Sequence, residues 1–248
     1  MPTTFETGHA KNVANFQDLI SFCTGYGATY NPSKNALSIA NLQTQLTNAQ
    51  ATLQAVKTTQ TTFNNVTNAR MDAFKPLKSL ATKIINALDA TNASAETVKD
   101  ARTINRKIQG QRATPKSATA PPPVGDPATP PDKTISSSQQ SYDQQIEHFS
   151  KLMELLSADS NYTPNETELT VTAIQTKLNE LKATNTAVID AYTNWSNSRI
   201  SRNAALYNPL TGLVNTALDI KKYVKSIFGA TSPQYKQVSK LEFKTIKS

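Results

Sequence analysis

Residues Leu42 to Leu88 read LQTQLTNAQATLQAVKTTQTTFNNVTNARMDAFKPLKSLATKIINAL. Within this stretch Leu42, Leu46, Ala49, Leu53, Val56, Gln60, Phe63, Thr67, Arg70, Phe74, Leu77, Ala81, Ile84 and Leu88 follow one another at alternating steps of four and three. Only Gln60, Thr67 and Arg70 interrupt the apolar series. That spacing keeps one stripe of a helix facing a neighbouring helix, and no β-strand produces it. A second stretch carries the same stripe: Ile174, Leu178, Leu181, Asn185, Val188, Tyr192, Trp195, Arg199, Arg202 and Leu206, then Leu210, Leu213, Ala217, Ile220, Val224 and Ile227. Its phase slips by one residue between Leu206 and Leu210, beside Pro209.

The two stretches belong to longer segments that align with each other. Phe16, Leu19, Ile20 and Cys23 correspond to Phe149, Leu152, Met153 and Leu156, and Tyr30-Asn31-Pro32 corresponds to Tyr162-Thr163-Pro164. Phe63 matches Trp195, Arg70 matches Arg202, and Phe74-Lys75-Pro76-Leu77 matches Tyr207-Asn208-Pro209-Leu210. Order and punctuation both recur, which is the mark of an internal repeat. Residues 5–110 and 141–248 are therefore expected to be two copies of one helical unit. Residues 111–140, with seven of the 13 prolines around Pro121-Pro122-Pro123, read as a Pro/Ala/Ser/Thr-rich linker.

Each unit is expected to hold a short helix, a long proline-kinked helix and a short helix. Gly25 and Gly27 stop the first helix, and Ser94 and Ser232-Pro233 start the last ones. An interior proline removes a backbone hydrogen bond and crowds the preceding turn, so Pro76 and Pro209 either kink or end the long helix. The unbroken apolar phase across Pro76 favours a kink, giving a helix from Ser33 to Leu88 of ~80 Å at ~1.5 Å per residue. Two short helices cannot cover the whole stripe of a long one, so the two repeats are expected to pack on each other. The predicted fold is all-α, a tandem duplication forming an elongated pseudo-twofold helical bundle, as from a fused homodimer.

Composition narrows the function. The 248 residues carry 26 Lys+Arg against 18 Asp+Glu, a formal charge of +8, with 33 Thr and 21 Asn giving weakly charged polar surfaces. The single cysteine, Cys23, forbids an internal disulfide and sits among apolar neighbours as a packing residue. Met1 to Gly8 lacks the basic and apolar regions of a Sec-type signal peptide, and no apolar run approaches the ~20 residues of a spanning helix. On that reading the protein is cytoplasmic or exported without a leader.

Catalytic and cofactor signatures are missing from the sequence. His9 and His148 are not spaced as a metal pair, the carboxylates scatter, and the seven glycines form no phosphate-cradling loop. No catalytic residue, metal or cofactor is expected, and the chain is not expected to be an enzyme. Two positions stand out. Arg70 and Arg202 fall on the apolar stripe of each long helix, where a guanidinium either packs its stem and pairs with Asp72, Asp190 or a freed carbonyl, or meets a ligand anion. The last segment is strongly basic: Lys221, Lys222, Lys225, Lys236, Lys240, Lys244 and Lys247 face only Glu242, with Tyr223, Phe228, Tyr235 and Phe243 interleaved. Such a face suits an anionic membrane surface more than nucleic acid, and is most simply a solvated helix surface.

The expected function is that of a non-enzymatic interaction or structural protein, of an exported, envelope-associated or phage type, with an unidentified protein partner. A membrane-surface-active or pore-forming helical protein is the alternative, although the apolar hairpin that such proteins insert is missing. A small-molecule-binding sensor bundle is a further one.

Overall fold

The computed structural model describes residues 8–111 and 139–246. The linker expected at 111–140 and Lys247 of the basic segment thus lie almost wholly or wholly outside the described residues. The described chain is all-α. Eight α-helices follow in order: α1 (His9–Gly25), α2 (Ile39–Phe74), α3 (Leu77–Asp89), α4 (Ala95–Gln109), α5 (Tyr142–Ala158), α6 (Val171–Tyr207), α7 (Leu213–Phe228) and α8 (Pro233–Ser239).

The helices group into two compact units. One lies within Met1–Asn64 and Asp190–Ser248, the other within Asn65–Ile189. Neither coincides with a half of the sequence, because the boundaries fall inside α2 and inside α6. The first unit has α1, the start of α2, the end of α6, α7 and α8. The second has the end of α2, α3, α4, α5 and the start of α6. Each unit therefore draws helices from both halves.

Each unit has its own core. In the first, Phe16, Leu19 and Cys23 of α1 meet Leu42, Leu46 and Ala49 of α2, Leu206 of α6, and Leu213, Ala217, Ile220 and Val224 of α7. In the second, Leu77, Ala81, Ile84 and Leu88 of α3 and Ala101 and Ile108 of α4 close over Phe149, Leu152 and Leu156 of α5 and over Ile174, Leu178 and Leu181 of α6. Full burial of one such side chain is worth about 1.5–3 kcal/mol.

Capping chemistry sets the helix starts. Ser94 Oγ accepts from Thr97 N–H at 3.1 Å, Ser141 Oγ from Gln144 N–H at 3.3 Å, and Ser232 Oγ from Tyr235 N–H at 3.1 Å with Pro233 at the first helical position. Gly110, at φ 76°, ends α4 with Gln111 N–H donating to Arg106 C=O at 3.0 Å, a Schellman closure. The long helices begin later than Pro32 and Pro164 suggest. Residues 35–37 and 167–169 are single 3₁₀ turns, and Thr170 Oγ1 caps α6 by accepting from Ala173 N–H at 3.2 Å.

The kinked continuous helix expected from Ser33 to Leu88 is instead two helices, and so is its counterpart. After Phe74 the interruption is two residues long: Lys75 N–H still reaches Met71 C=O at 3.0 Å, Pro76 has no N–H, and Pro76 C=O takes Leu80 N–H at 2.9 Å to begin α3. After Tyr207 it is five residues long. Asn208 Oδ1 accepts from Leu210 N–H at 2.9 Å and from Thr211 N–H at 3.1 Å, folding the chain into a side-chain turn that a lysine at that place cannot make. Gly212 then lies against the Asn208 backbone. A Cβ there would stand 2.5 Å from Asn208 N and 2.6 Å from its O, so no larger residue fits.

Burial shows what this loop does to the register. Leu77, Ala81, Ile84 and Leu88 of α3 are matched in exposure by Leu213, Ala217, Ile220 and Val224 of α7, all at 0%. Those pairs stand 136 residues apart, whereas Phe74 and Tyr207 stand 133 apart, so three extra residues are inserted at Pro209 where the apolar pattern suggested one. Leu210, the sequence match of Leu77, falls in the loop and is 85% exposed.

Candidate functional site

Beside each proline break the surface is hollowed where a helix start meets the helix that follows the break. In the second unit the hollow has a volume of about 330 Å³ and is lined by Pro76, Ser79, Leu80 and Lys83, by Glu168, and by Ala173 and Lys177 of α6. In the first unit a hollow of about 470 Å³ is lined by residues 34–37, by Asn41 and Gln45 of α2, and by Leu210, Thr211 and Thr216. The two share positions. With the register set by burial, Leu80 corresponds to Thr216, Ala173 to Asn41 and Lys177 to Gln45.

Their chemistry differs. In the second unit Pro76, Leu80 and Ala173 make an apolar floor inside a charged rim. In the first, Asn41 and Thr216 make the same positions polar, and Gln45 Nε2 donates to Thr211 C=O at 2.8 Å across the loop. An apolar floor with a few charges at its edge is what a small ligand or an inserted side chain needs.

Each hollow has an ion pair at its edge, with the signs exchanged. In the second unit Lys83 of α3 meets Glu168 at 2.8 Å. In the first, Asp219 of α7 stands where Lys83 would, and meets Lys34 at 2.9 Å. Lys34 donating to it, with Lys222 also close at 3.3 Å, holds the Asp219 carboxyl below the ordinary carboxylate range. These pairs are half exposed and each contributes under about 1 kcal/mol to folding.

Arg70 and Arg202 take different partners from those expected. Arg70 Nη1 donates to Asn185 Oδ1 at 3.0 Å, and its guanidinium lies 4.0 Å from the centroid of the Tyr142 ring, which itself meets Phe74 edge-on at 4.7 Å. Asn185 Nδ2 passes the contact on to Asp143 Oδ1 at 2.8 Å. The carboxylate reached is therefore Asp143 of α5, through the Asn185 amide of α6, and not Asp72. Arg202 is 8% exposed, and its Nε and Nη2 both donate to Asn203 Oδ1, at 3.0 and 2.7 Å, in place of Asp190. Burial lowers its pKa, and its charge joins burial in lowering that of His9, whose Nδ1 is 2.7 Å from Tyr207 Oη.

Of the described lysines of the basic segment Lys221 is partly buried, and Lys222, Lys225, Lys236, Lys240 and Lys244 are exposed. Lys221 donates to Leu241 and Ser239 carbonyls and lies 5.3 Å from the Phe243 ring. That burial lowers its pKa. Lys222 pairs with Asp219, Lys225 stands 5.8 Å from the Tyr235 ring, and Lys244 pairs with Glu242 at 3.2 Å.

Sequence reasoning missed the clamp that holds this segment. After α8 the chain runs without helix along α1, where Asn12 Nδ2 donates to Lys244 C=O at 2.7 Å while Lys244 N–H donates to Asn12 Oδ1 at 3.1 Å. Asn15 Nδ2 adds a bond to Glu242 C=O at 2.7 Å. Both asparagines are buried. Their one signal in the sequence is position, since Asn12 and Asn15 flank the apolar face led by Val13 and Phe16.

Cys23 and His148 are buried, and His9 is partly so. Cys23 is buried in the first core, and that burial pushes its thiol up to about 12. His148 is 4% exposed and has an unpaired Nε2, with its pKa lowered by burial and by Lys107 and Lys151. Among the described residues no group of His, Cys, Asp and Glu is arranged to hold a metal ion, and no helix is long and apolar enough to cross a membrane. Comparison with protein-family models, curated proteins and solved structures finds no match to this chain.

Proposed function

We propose that the protein is a non-enzymatic interaction module, made by tandem duplication of one helical unit, and that it engages a protein partner through the hollow over Pro76, Leu80 and Ala173. The observation that carries this is the contrast between the two hollows: one has an apolar floor of Pro76, Leu80 and Ala173 inside a charged rim, and its counterpart is mixed, with Asn41 and Thr216 at the matched positions and Gln45 bridging to Thr211. A partner presenting an apolar side chain flanked by charges of both signs suits the first.

Duplication is supported by contacts that occur twice. Tyr30 Oη donates to Leu37 C=O at 2.9 Å, and Tyr162 Oη donates to Leu169 C=O at 2.8 Å, each across seven residues. His9 packs on Tyr207 and Tyr142 on Phe74, pairs whose members correspond in the alignment but are exchanged between halves. Phe63 and Trp195, aligned with each other, stack at 5.4 Å. A fused homodimer whose copies complete one another gives all three patterns.

The test is a photo-crosslinking residue at Ser79, on the lining of the hollow, compared with one at exposed Thr61 of α2, each in the full chain in its native cells. A discrete adduct at Ser79 that is missing at Thr61 is expected. Equal labelling at both positions, or none at Ser79, would overturn the reading.

A further inference from the structure

The most exposed large apolar side chain in the described chain is Leu210, at 85%, on the tip of the loop that Asn208 and Gly212 shape. It stands on the lining of the hollow of its own unit, where Asn41 and Thr216 replace the apolar side chains of the other unit and the side chain stays exposed. The corresponding hollow in the other unit offers Leu80 and Ala173 at those positions. The ion pairs beside the two sites are opposite in sign: Lys34 and Asp219 near Leu210, Glu168 and Lys83 at the apolar rim. Of the orientations in which the loop of one molecule could sit over the apolar hollow of another, the one that sets helix start against helix start would bring Lys34 to Glu168 and Asp219 to Lys83, and so matches the charges.

From this we propose that the occupant of the apolar hollow is Leu210 of a second copy of the same chain, in a head-to-tail contact. Such a contact joins two different surfaces, so each bound molecule still presents one free loop and one free hollow, and assembly either closes into a ring or runs on. The proposal rests on the hollow being a docking site and adds what docks there. Leu210 serves well as the anchor because Asn208, Gly212 and Asn215, whose Nδ2 donates to the Asn208 and Pro209 carbonyls, already hold its loop, so little order has to be imposed on binding.

The experiment is sedimentation velocity of the full chain over a wide concentration range, joined to a mixing test. Wild type is expected to associate as concentration rises, and Leu210→Asp to weaken that association about tenfold or more, the loss of one well-seated leucine. Because Leu210 is exposed, its melting curve should match wild type. The charge-swapped variant Lys83→Glu/Glu168→Lys keeps an ion pair within its unit but sets like against like across the contact, and it should associate more weakly as well. In the mixing test Leu210→Cys and Ala173→Cys are joined by a short bismaleimide, with buried Cys23 left in place. Crosslinked dimer is expected from the mixture and not from either variant alone. Monomer at every concentration, association indifferent to Leu210→Asp, or Leu210→Cys crosslinking to itself would overturn the proposal. A Ser79 adduct with a different protein, alongside monomeric behaviour, would overturn this proposal while leaving the docking reading standing.

Discussion

Leu77 and Leu210 occupy the same place in the aligned halves, each directly after the proline, yet one is fully buried and the other is 85% exposed. Truncation to alanine converts that difference into a number. Leu77→Ala removes a side chain packed among Ala81, Ile84 and the second core, and a buried Leu→Ala change costs about 2–5 kcal/mol through lost transfer energy and the cavity left behind. Leu210→Ala removes a side chain that water already surrounds, so its cost stays within about 0.5 kcal/mol. Leu213→Ala, at the position that burial equates with Leu77, should again cost about 2–5 kcal/mol, in the first unit. At ~1.4 kcal/mol per factor of ten, Leu77→Ala and Leu213→Ala shift the unfolding constant by about thirtyfold or more, and Leu210→Ala by about twofold at most. Urea unfolding followed by far-UV circular dichroism measures all three, and fluorescence of the one tryptophan, Trp195, reports the first unit separately. The three-residue insertion is refuted if Leu210→Ala proves as costly as Leu77→Ala, or if Leu213→Ala is nearly neutral.

Three further outcomes follow from the same contacts. Stability should fall as pH drops below the ordinary imidazole value of 6.5, because burial lowers the folded-state pKa of His9 and His148 while the unfolded chain takes up protons there; thermal melts from about pH 8 to about pH 5 measure it, and His148→Phe should flatten the slope. Asn12→Ala removes both bonds to the Lys244 backbone, so hydrogen exchange at that amide should speed up markedly and stability should fall by about 1–2 kcal/mol; an unchanged exchange rate would show that the clamp does not hold the segment. A double-mutant cycle of Arg70→Met with Tyr142→Leu should return a coupling of about 0.5–1 kcal/mol, since the guanidinium is half-buried over the ring; a coupling near zero would leave Arg70 only its bond to Asn185.

The helices were legible because their stripe repeats over many turns, and a strong period survives a few polar interruptions. The breaks were not, because they turn on what surrounds each proline. At Pro76 a lysine precedes and the helix resumes after two residues; at Pro209 an asparagine precedes, and its side chain captures two N–H groups that α-helix would otherwise use. The grouping of helices escaped the sequence too, since a repeat shows that two segments are alike and says nothing of which half supplies each neighbour. The lysines of the basic segment are legible as a cluster, but the neighbours that Asp219, Glu242, backbone carbonyls and aromatic rings give to Lys221, Lys222, Lys225 and Lys244 come from the fold. The buried polar residues were invisible in the sequence. Asn12 and Asn15 look like ordinary Asn in a chain with 21 of them, and the C-terminal segment laid over them explains their burial.

A homodimer must carry the same residue at both of its equivalent sites, so a leucine pushed out of one break is pushed out of the other, and a hollow made polar at one is made polar at both. On the duplication proposed above, covalent fusion would remove that constraint. Lys75 and Asn208, Leu80 and Thr216, Ala173 and Asn41, and Lys83 and Asp219 differ at matched positions of the two halves. The differences are complementary: one side has a projecting leucine and a lysine–aspartate edge, the other an apolar floor and a glutamate–lysine edge. A pair of unlike surfaces on one chain is what directional assembly requires, because like surfaces pair once and stop, whereas unlike ones leave a free end after every addition.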